Sequence, residues 1–408
     1  MKHYVFFART IKNVGGAQLY IKAKAQWLIE QGWNVIIIYC QDGEPYIFDF
    51  QKYRSLYVAD LCKAAYKYLS LKRKRIVRQI VEFLKFQQGD IVFESHSLAL
   101  ASWAELIAQM KGNVRHIAFL LDERIHVPLQ MLDYFRFKYA RHELFGITEK
   151  SIELFFEGTQ TELSYGSPKL SATGVTDCVS DNMPPFKLSM LRGTIIGVVG
   201  RLEKPYVKEY AKSLKRYFIL HNNTCFTLIF VGGAPKGSEI PAQLETLFLN
   251  CPNVKLVITG YLFPIPRVLV RRFDICLAGA GAANAIKREG VATLVLDPRD
   301  LMPNGILGVT TQDSLFSDKE KKPIDWWLDE VLTHKERYSQ PPTSLNYDFS
   351  PHMEIIKNGE GTCEYNYSFL HSSSMMFYIK QIVCSIFPIK VSGYFALILR
   401  HLSILQEV

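Results

Sequence analysis

An arginine and a lysine directly behind an apolar run are the sharpest chemical feature of this chain. Residues 194–200 read Thr-Ile-Ile-Gly-Val-Val-Gly, and Arg201 and Lys204 follow at once, with Lys208 one helical turn further on. A guanidinium and an ammonium at the carboxyl end of a strand suit a diphosphate, which accepts paired hydrogen bonds and needs its charge neutralised. The other reading is a solvated basic loop, and the position at a strand end of an open α/β sheet favours the ligand. A second stretch, Gly279-Ala280-Gly281-Ala282-Ala283-Asn284, follows the apolar run 273–277. Its small side chains either admit a phosphate or sugar to the backbone or let a helix pack closely on a sheet. Gly15 and Gly16 stand between the run 4–8 and a helical pattern over 17–31. Unpaired amides at such a helix start point at an anion, yet two glycines also serve a plain turn.

A different set could move protons. His96 lies just past the strand pattern 90–94, and Asp122 with Glu123 ends the next one, 116–121. A single histidine is commonly a structural hydrogen-bonder, and paired carboxylates either meet sugar hydroxyls, act as a base or cap a helix. Because the two positions end neighbouring strands, they are read together as the catalytic set. Residues 63–85 carry Lys72, Arg73, Lys74, Arg75 and Arg78 among Tyr66, Tyr68, Leu69, Leu71, Ile76 and Val77. Such a helix either rests on anionic lipid or presents a solvated basic face.

The elements that must position these residues alternate between strand and helix. Apolar runs recur at 34–39, 226–231, 254–259 and 292–296, each short enough for a strand buried on both faces. Helical periodicity covers 17–31, where Ala17, Ile21, Ala25 and Leu28 share one face, and 99–110. The pattern starts twice, about 190 residues apart, which is close to one domain length. It predicts an α/β chain of two Rossmann-like, doubly wound domains facing a central cleft. The first spans 1–190, with 151–190 as a Gly-, Ser- and Pro-rich connector; the second spans 191–345; 346–408 is an extension packing back on the first.

Composition narrows the class. The chain of 408 residues, 48% hydrophobic and 21% charged, has ample material for two cores. A net charge of +9 asks for an anionic partner, but no recognised nucleic-acid motif accompanies it, so nucleic acid is not expected. The 8 cysteines are scattered without a Cys-x-x-Cys pair, which speaks against structural zinc or a redox pair and for reduced thiols. No signal peptide is apparent, and the apolar tail 375–405 is broken by Lys380, Pro388, Lys390 and Arg400. A cytoplasmic protein, touching the inner face of a membrane at most, is the expectation. A nicotinamide dehydrogenase would use Asp297 on the ribose, but Gly15-Gly16 is not a G-x-G-x-x-G and that reading ranks low.

Over most of residues 1–315 the chain resembles the GT-B-fold glycosyltransferases, in particular the large retaining group often called family four. Asn13-Val-Gly-Gly-Ala-Gln18 looks like that group's opening glycine loop, and Gly197-Val-Val-Gly-Arg-Leu202 like its second-domain strand end, where an arginine and a following lysine hold the donor diphosphate. Phe230-Val-Gly-Gly-Ala-Pro235 and Val257-Ile-Thr-Gly-Tyr-Leu262 resemble the next two strand ends, which places Gly260 and Tyr261 beside the nucleobase. Residues 274–297 and 308–311 resemble a subgroup found in bacterial polysaccharide biosynthesis clusters. Three departures stand out. The family's pair of glutamates is replaced by residues 279–284, its lysine position holds Tyr206 so that Lys204 or Lys208 must substitute, Lys204 being the preferred one, and a histidine near the end of 116–121 is replaced by Asp122 and Glu123.

The resemblance implies transfer of a sugar from a nucleotide-diphosphate donor to a growing capsular or lipopolysaccharide-type glycan, lipid-linked at the membrane face. The donor site would comprise Gly15, Gly16, Arg201, Lys204, Gly260, Tyr261, Gly279, Ala280, Gly281, Ala282 and Asn284. No metal or other cofactor is required, because arginine and lysine supply the charge. The alternatives are a GT-B-like nucleotide-sugar epimerase, a pyruvyl transferase, or a degenerate partner that binds glycan without catalysis.

Overall fold

The computed structural model describes residues 2–12, 15–42, 48–85, 89–112, 114–123, 125–163, 170, 172, 178–345, 348–358, 375–387 and 391. The chain divides into two compact units, Met1–Ala172 with Phe349–Val408, and Thr173–Asp348.

The first unit is built on β1 (Lys2–Ala8), β2 (Trp33–Tyr39), β3 (Arg54–Tyr57), β4 (Ile91–Ser95), β5 (Val114–Leu120) and β6 (Leu144–Gly146). They form one sheet in the order β3-β2-β1-β4-β5-β6, parallel throughout. Parallel strands are covered by helices on both faces, so their side chains are apolar on both. Val5, Phe6, Phe7, Ile36, Ile37, Ile38 and Phe93 are accordingly fully buried. Helix Gly16–Glu30 buries Tyr20, Ile21, Ala25 and Leu28, and helix Leu98–Lys111 starts at Ser97, whose side chain accepts from the Leu100 amide. Two later helices, Ser350–Asn358 and Met375–Ile386, also belong to this unit. The strand order reverses between β1 and β4, so the loops leaving their carboxyl ends part and open a crevice there.

The second unit repeats the plan. A two-stranded parallel pair joins β7 (Val179–Ser180) to β11 (Ile265–Pro266). The main sheet comprises β8 (Thr194–Val199), β9 (Phe226–Val231), β10 (Val254–Ile258), β12 (Ile275–Ala278), β13 (Thr293–Leu296) and β14 (Pro303–Ile306). Its order is β10-β9-β8-β12-β13-β14, with only β14 antiparallel. The reversal falls between β8 and β12. Gly197 sits where a Cβ would stand 2.6 Å from the Phe273 ring, so the ring packs directly on the β8 backbone.

The fold is thus the expected α/β pair of Rossmann-like units of the GT-B type. Periodicity did not indicate β3, β6 or β14. Helix Glu149–Phe155 runs into the start of the stretch read as a connector, and its Ile152 and Phe155 enter the core of the first unit. The following Phe156 does the same. Among the described residues no helix is long and apolar enough to cross a membrane.

Candidate functional site

In the second unit the loops carrying the sequence-predicted donor residues leave side by side. Val199 of β8 pairs with Ala278 of β12 on one side and with Val231 of β9 on the other. Gly200, Gly232 and Gly279 therefore begin adjacent loops at the carboxyl end. Gly260 joins them through a bridge to Gly232. The packing between these loops admits no side chain: a Cβ on Gly232 would lie 1.8 Å from the Gly200 carbonyl oxygen, and one on Gly233 would lie 2.2 Å from the Tyr261 ring. Gly260, at φ +65°, turns the chain so that Tyr261 lies over Gly233.

Arg201 is exposed at this end, its guanidinium 3.0 Å from the Glu203 carboxylate. A solvent-exposed pair of this kind contributes little, so the guanidinium can exchange Glu203 for a phosphate. Lys204 stands at the start of helix Pro205–Leu220, with Pro205 in the first helical position, where a missing amide hydrogen costs nothing. The glycine-alanine stretch opens helix Ala280–Arg288, and the cap residue Gly279 brings no side chain to its amides. A Cβ on Gly279 or Gly281 would meet nothing within 4 Å, so close packing makes no claim on either glycine. The Ala280 amide already donates to the Ser314 carbonyl at 2.9 Å, in a left-handed conformation at φ +50°. That leaves Gly281 and Ala282 as the amides nearest the open space. Asn284 is turned back on its own helix, with Nδ2 donating to the Ala280 carbonyl at 3.0 Å. Asp297 is buried and committed to Arg299 and Lys321. Burial alone would raise its carboxyl, but those cations outweigh burial and hold it at about 2, which leaves it no role on a ribose.

In the first unit Gly15 and Gly16 open helix Gly16–Glu30 with no side-chain cap from Gly15, and a Cβ on Gly16 would meet nothing within 4 Å. Gln18 Nε2 donates to the Thr10 carbonyl at 2.9 Å and pins the loop leaving β1. Across the reversal, His96 is not solvent-open: its side chain is 3% exposed, and Nε2 lies 2.8 Å from Glu94 Oε1. Its Nδ1 is buried and has no hydrogen-bond partner among the described residues. Asp122 is exposed and Glu123 half-buried in the loop after β5, the strand beside β4. Position thus brings the three to neighbouring strand ends, as expected, while His96 is bound to Glu94 instead.

Glu94 is the residue that sequence reasoning passed over. Its Oε2 accepts from Lys24 Nζ at 2.5 Å and from the Tyr4 hydroxyl at 2.5 Å. Lys24 is 1% exposed and Glu94 0%. Lys24 also lies 3.1 Å from His352 Nδ1, and the Tyr20 hydroxyl 3.4 Å from the same atom. Burial would raise the Glu94 carboxyl; Lys24 and the His96 hydrogen bond outweigh it and hold the group ionised well below the usual carboxylate range. The signal was a glutamate inside the apolar run 90–94, paired with a lysine on the buried face of 17–31.

The opposite face of β4 carries a second buried set. Ser95 Oγ is 2.8 Å from His116 Nε2, and His116 Nδ1 is 2.7 Å from Glu105 Oε2. The geometry is that of a serine–histidine–carboxylate relay, but Ser95 is fully buried and Lys138 closes on Glu105 at 3.0 Å. No substrate reaches the hydroxyl, so the set ties β4, β5 and helix Leu98–Lys111 together. Among the described residues no cluster of His, Cys, Asp and Glu has metal-holding geometry.

No family model matches the chain, and no curated protein matches its sequence. Solved structures do match its fold. A glycosyltransferase from Rickettsia africae superposes with a TM-score of 0.51 at 13% identity, covering 72% of this chain and 79% of its own. MnaA of S. aureus, in a co-structure with UDP, gives a TM-score of 0.51 at 11% identity, covering 88% and 99%. Identities this low establish the shared fold.

Two outcomes follow for the buried network. Replacing Lys24 by Met strands the Glu94 carboxylate, which costs about 3–5 kcal/mol. Urea unfolding of K24M is expected to show that loss, and the double variant K24M/E94Q to recover part of it; equal stability of K24M and wild type would refute the pairing. His352 is held at about 3, first by burial and then by Lys24, against an ordinary 6.5. The unfolded chain therefore takes up this proton below pH 6.5 while the folded one refuses it until about 3, so stability is present above 6.5 and lost as pH falls. Between pH 7 and pH 5 the loss from this group is roughly 2 kcal/mol. Denaturation at the two pH values is expected to show a smaller difference in H352F than in wild type.

Proposed function

We propose that the chain transfers a sugar from a nucleoside-diphosphate donor, held by the second unit, to a hydroxyl of a glycan acceptor taken up by the first. The observation that carries this reading is the exposed Arg201 guanidinium on the loop beside the uncapped, unobstructed start of helix Ala280–Arg288. A cation and free helix amides at one sheet end are what a diphosphate needs. The likeness of fold to MnaA, which holds UDP, supports the same ligand class.

In the reaction the bond between the anomeric carbon and the diphosphate oxygen breaks, its electron pair leaving with the diphosphate. The acceptor oxygen bonds to that carbon, and its proton passes to the departing phosphate. Arg201, Lys204 and the amides of Gly281 and Ala282 neutralise the developing charge, and this preorganised stabilisation supplies most of the rate. Tyr261 flanks the base. The resemblance to polysaccharide-cluster enzymes supports a surface glycan, carried on lipid, as acceptor.

Titration calorimetry with UDP, GDP, ADP and dTDP tests the donor site. At least one is expected to bind wild type, and R201A to bind it about ten- to a hundredfold more weakly, the worth of a charge-assisted hydrogen bond. Binding of none of them would overturn the reading. With the matching radiolabelled nucleotide sugar, label moving to a glycan acceptor supports transfer, whereas an altered nucleotide sugar without acceptor indicates an epimerase.

A further inference from the structure

Helix Ser70–Leu84 turns Ile76, Val77, Ile80 and Leu84 into the core of the first unit. Its other side carries Leu71, Lys74, Arg75 and Arg78, spaced i, i+3, i+4 and i+7 and therefore on one exposed stripe. Helix Met375–Ile386 is fastened beside its start. Gln381 Nε2 donates to the Tyr66 carbonyl at 2.7 Å, the Leu69 amide donates to Ser385 Oγ at 2.9 Å, and Phe377 stacks on Tyr66. The Leu69–Ser385 bond places Leu71 and Ile386 on adjoining ends of the two helices. Leu71 is 83% exposed, Ile386 68% and Tyr378 56%. Lys380 is exposed on the same helix as Tyr378. Lys72, by contrast, is engaged by Asp60 at 2.9 Å, and Arg73 donates to the Tyr68 carbonyl. Among the described residues Lys74, Arg75, Arg78 and Lys380 form no ion pair, and Glu82, one turn beyond Arg78, is the acid of the stripe.

We propose that this two-helix face of the first unit seats the protein on an anionic phospholipid bilayer, with Leu71, Tyr378 and Ile386 entering the headgroup boundary and Lys74, Arg75, Arg78 and Lys380 meeting the phosphates. A merely solvated basic face has no need of large apolar side chains among its cations. Scattered exposed leucines are ordinary, but apolar tips ringed by unpaired cations match what an anionic interface binds. Each cation near such a surface raises partitioning about fivefold. The inference stands apart from the donor site and holds whatever reaction the chain performs.

Flotation of the full chain with vesicles of phosphatidylglycerol and phosphatidylethanolamine, against vesicles of phosphatidylcholine alone, tests it. Wild type is expected to float with the anionic vesicles only. Both R75E/R78E and L71D/I386D are expected to bind them at least about tenfold more weakly, with melting temperatures near wild type. The change of all these side chains from an exposed surface leaves nucleoside-diphosphate binding as a separate readout, expected to be unaltered. Failure of wild type to float, or flotation of both variants as wild type does, overturns the proposal.

Discussion

The ion pair between Lys24 and Glu94 is the constraint on which the first unit is assembled. Two charges taken wholly out of water are tolerated only when other hydrogen bonds satisfy what remains of each group. Here Tyr4 from β1, His96 from the end of β4, and His352 from helix Ser350–Asn358 close around the pair. One interaction therefore couples the first strand, the first helix, the central strand and a segment more than three hundred residues later in the chain. It also sets the His96 ring, because Glu94 holds Nε2 and leaves Nδ1 facing the other way. A histidine found at a strand end by sequence is thus positioned by a carboxylate two residues before it.

The second unit handles charge differently at the equivalent place. Its own buried carboxylate, Asp297, lies beyond β13 and is enclosed by Arg299 and Lys321. At the reversal between β8 and β12 the polypeptide leaves glycines, helix amides and an exposed arginine. Where the first unit spends its charges on cohesion, the second keeps one at the surface. That difference is why a diphosphate is assigned to the second unit and not to the first, although both begin with the same strand–glycine–helix pattern.

Much of this was legible in sequence because parallel strands buried on both faces are written as continuous apolar runs. The strand Phe226–Val231 is readable residue by residue, and Val35–Ile38 nearly so. β3 is short and polar at its edge of the sheet, and β14 contains Pro303 and Gly305, so neither has a pattern to read. The glycine-alanine stretch could be placed but not interpreted: only the open space at Gly279 and Gly281 separates ligand approach from close packing. Lys24 was hidden for a related reason. A lysine on a helix is ordinarily a surface residue, and its burial depends on a glutamate seventy positions away and on a histidine in a region without periodicity.

The central claim is that the loops after β8, β9, β10 and β12 hold the donor diphosphate. Hydrogen–deuterium exchange of the whole chain with and without the best-binding nucleoside diphosphate measures this directly. Protection is expected in residues 200–204, 232–233, 259–261 and 279–284, with the amides around Lys24 and Glu94 unchanged. Protection confined to the first unit, or none in those four loops, would contradict the account.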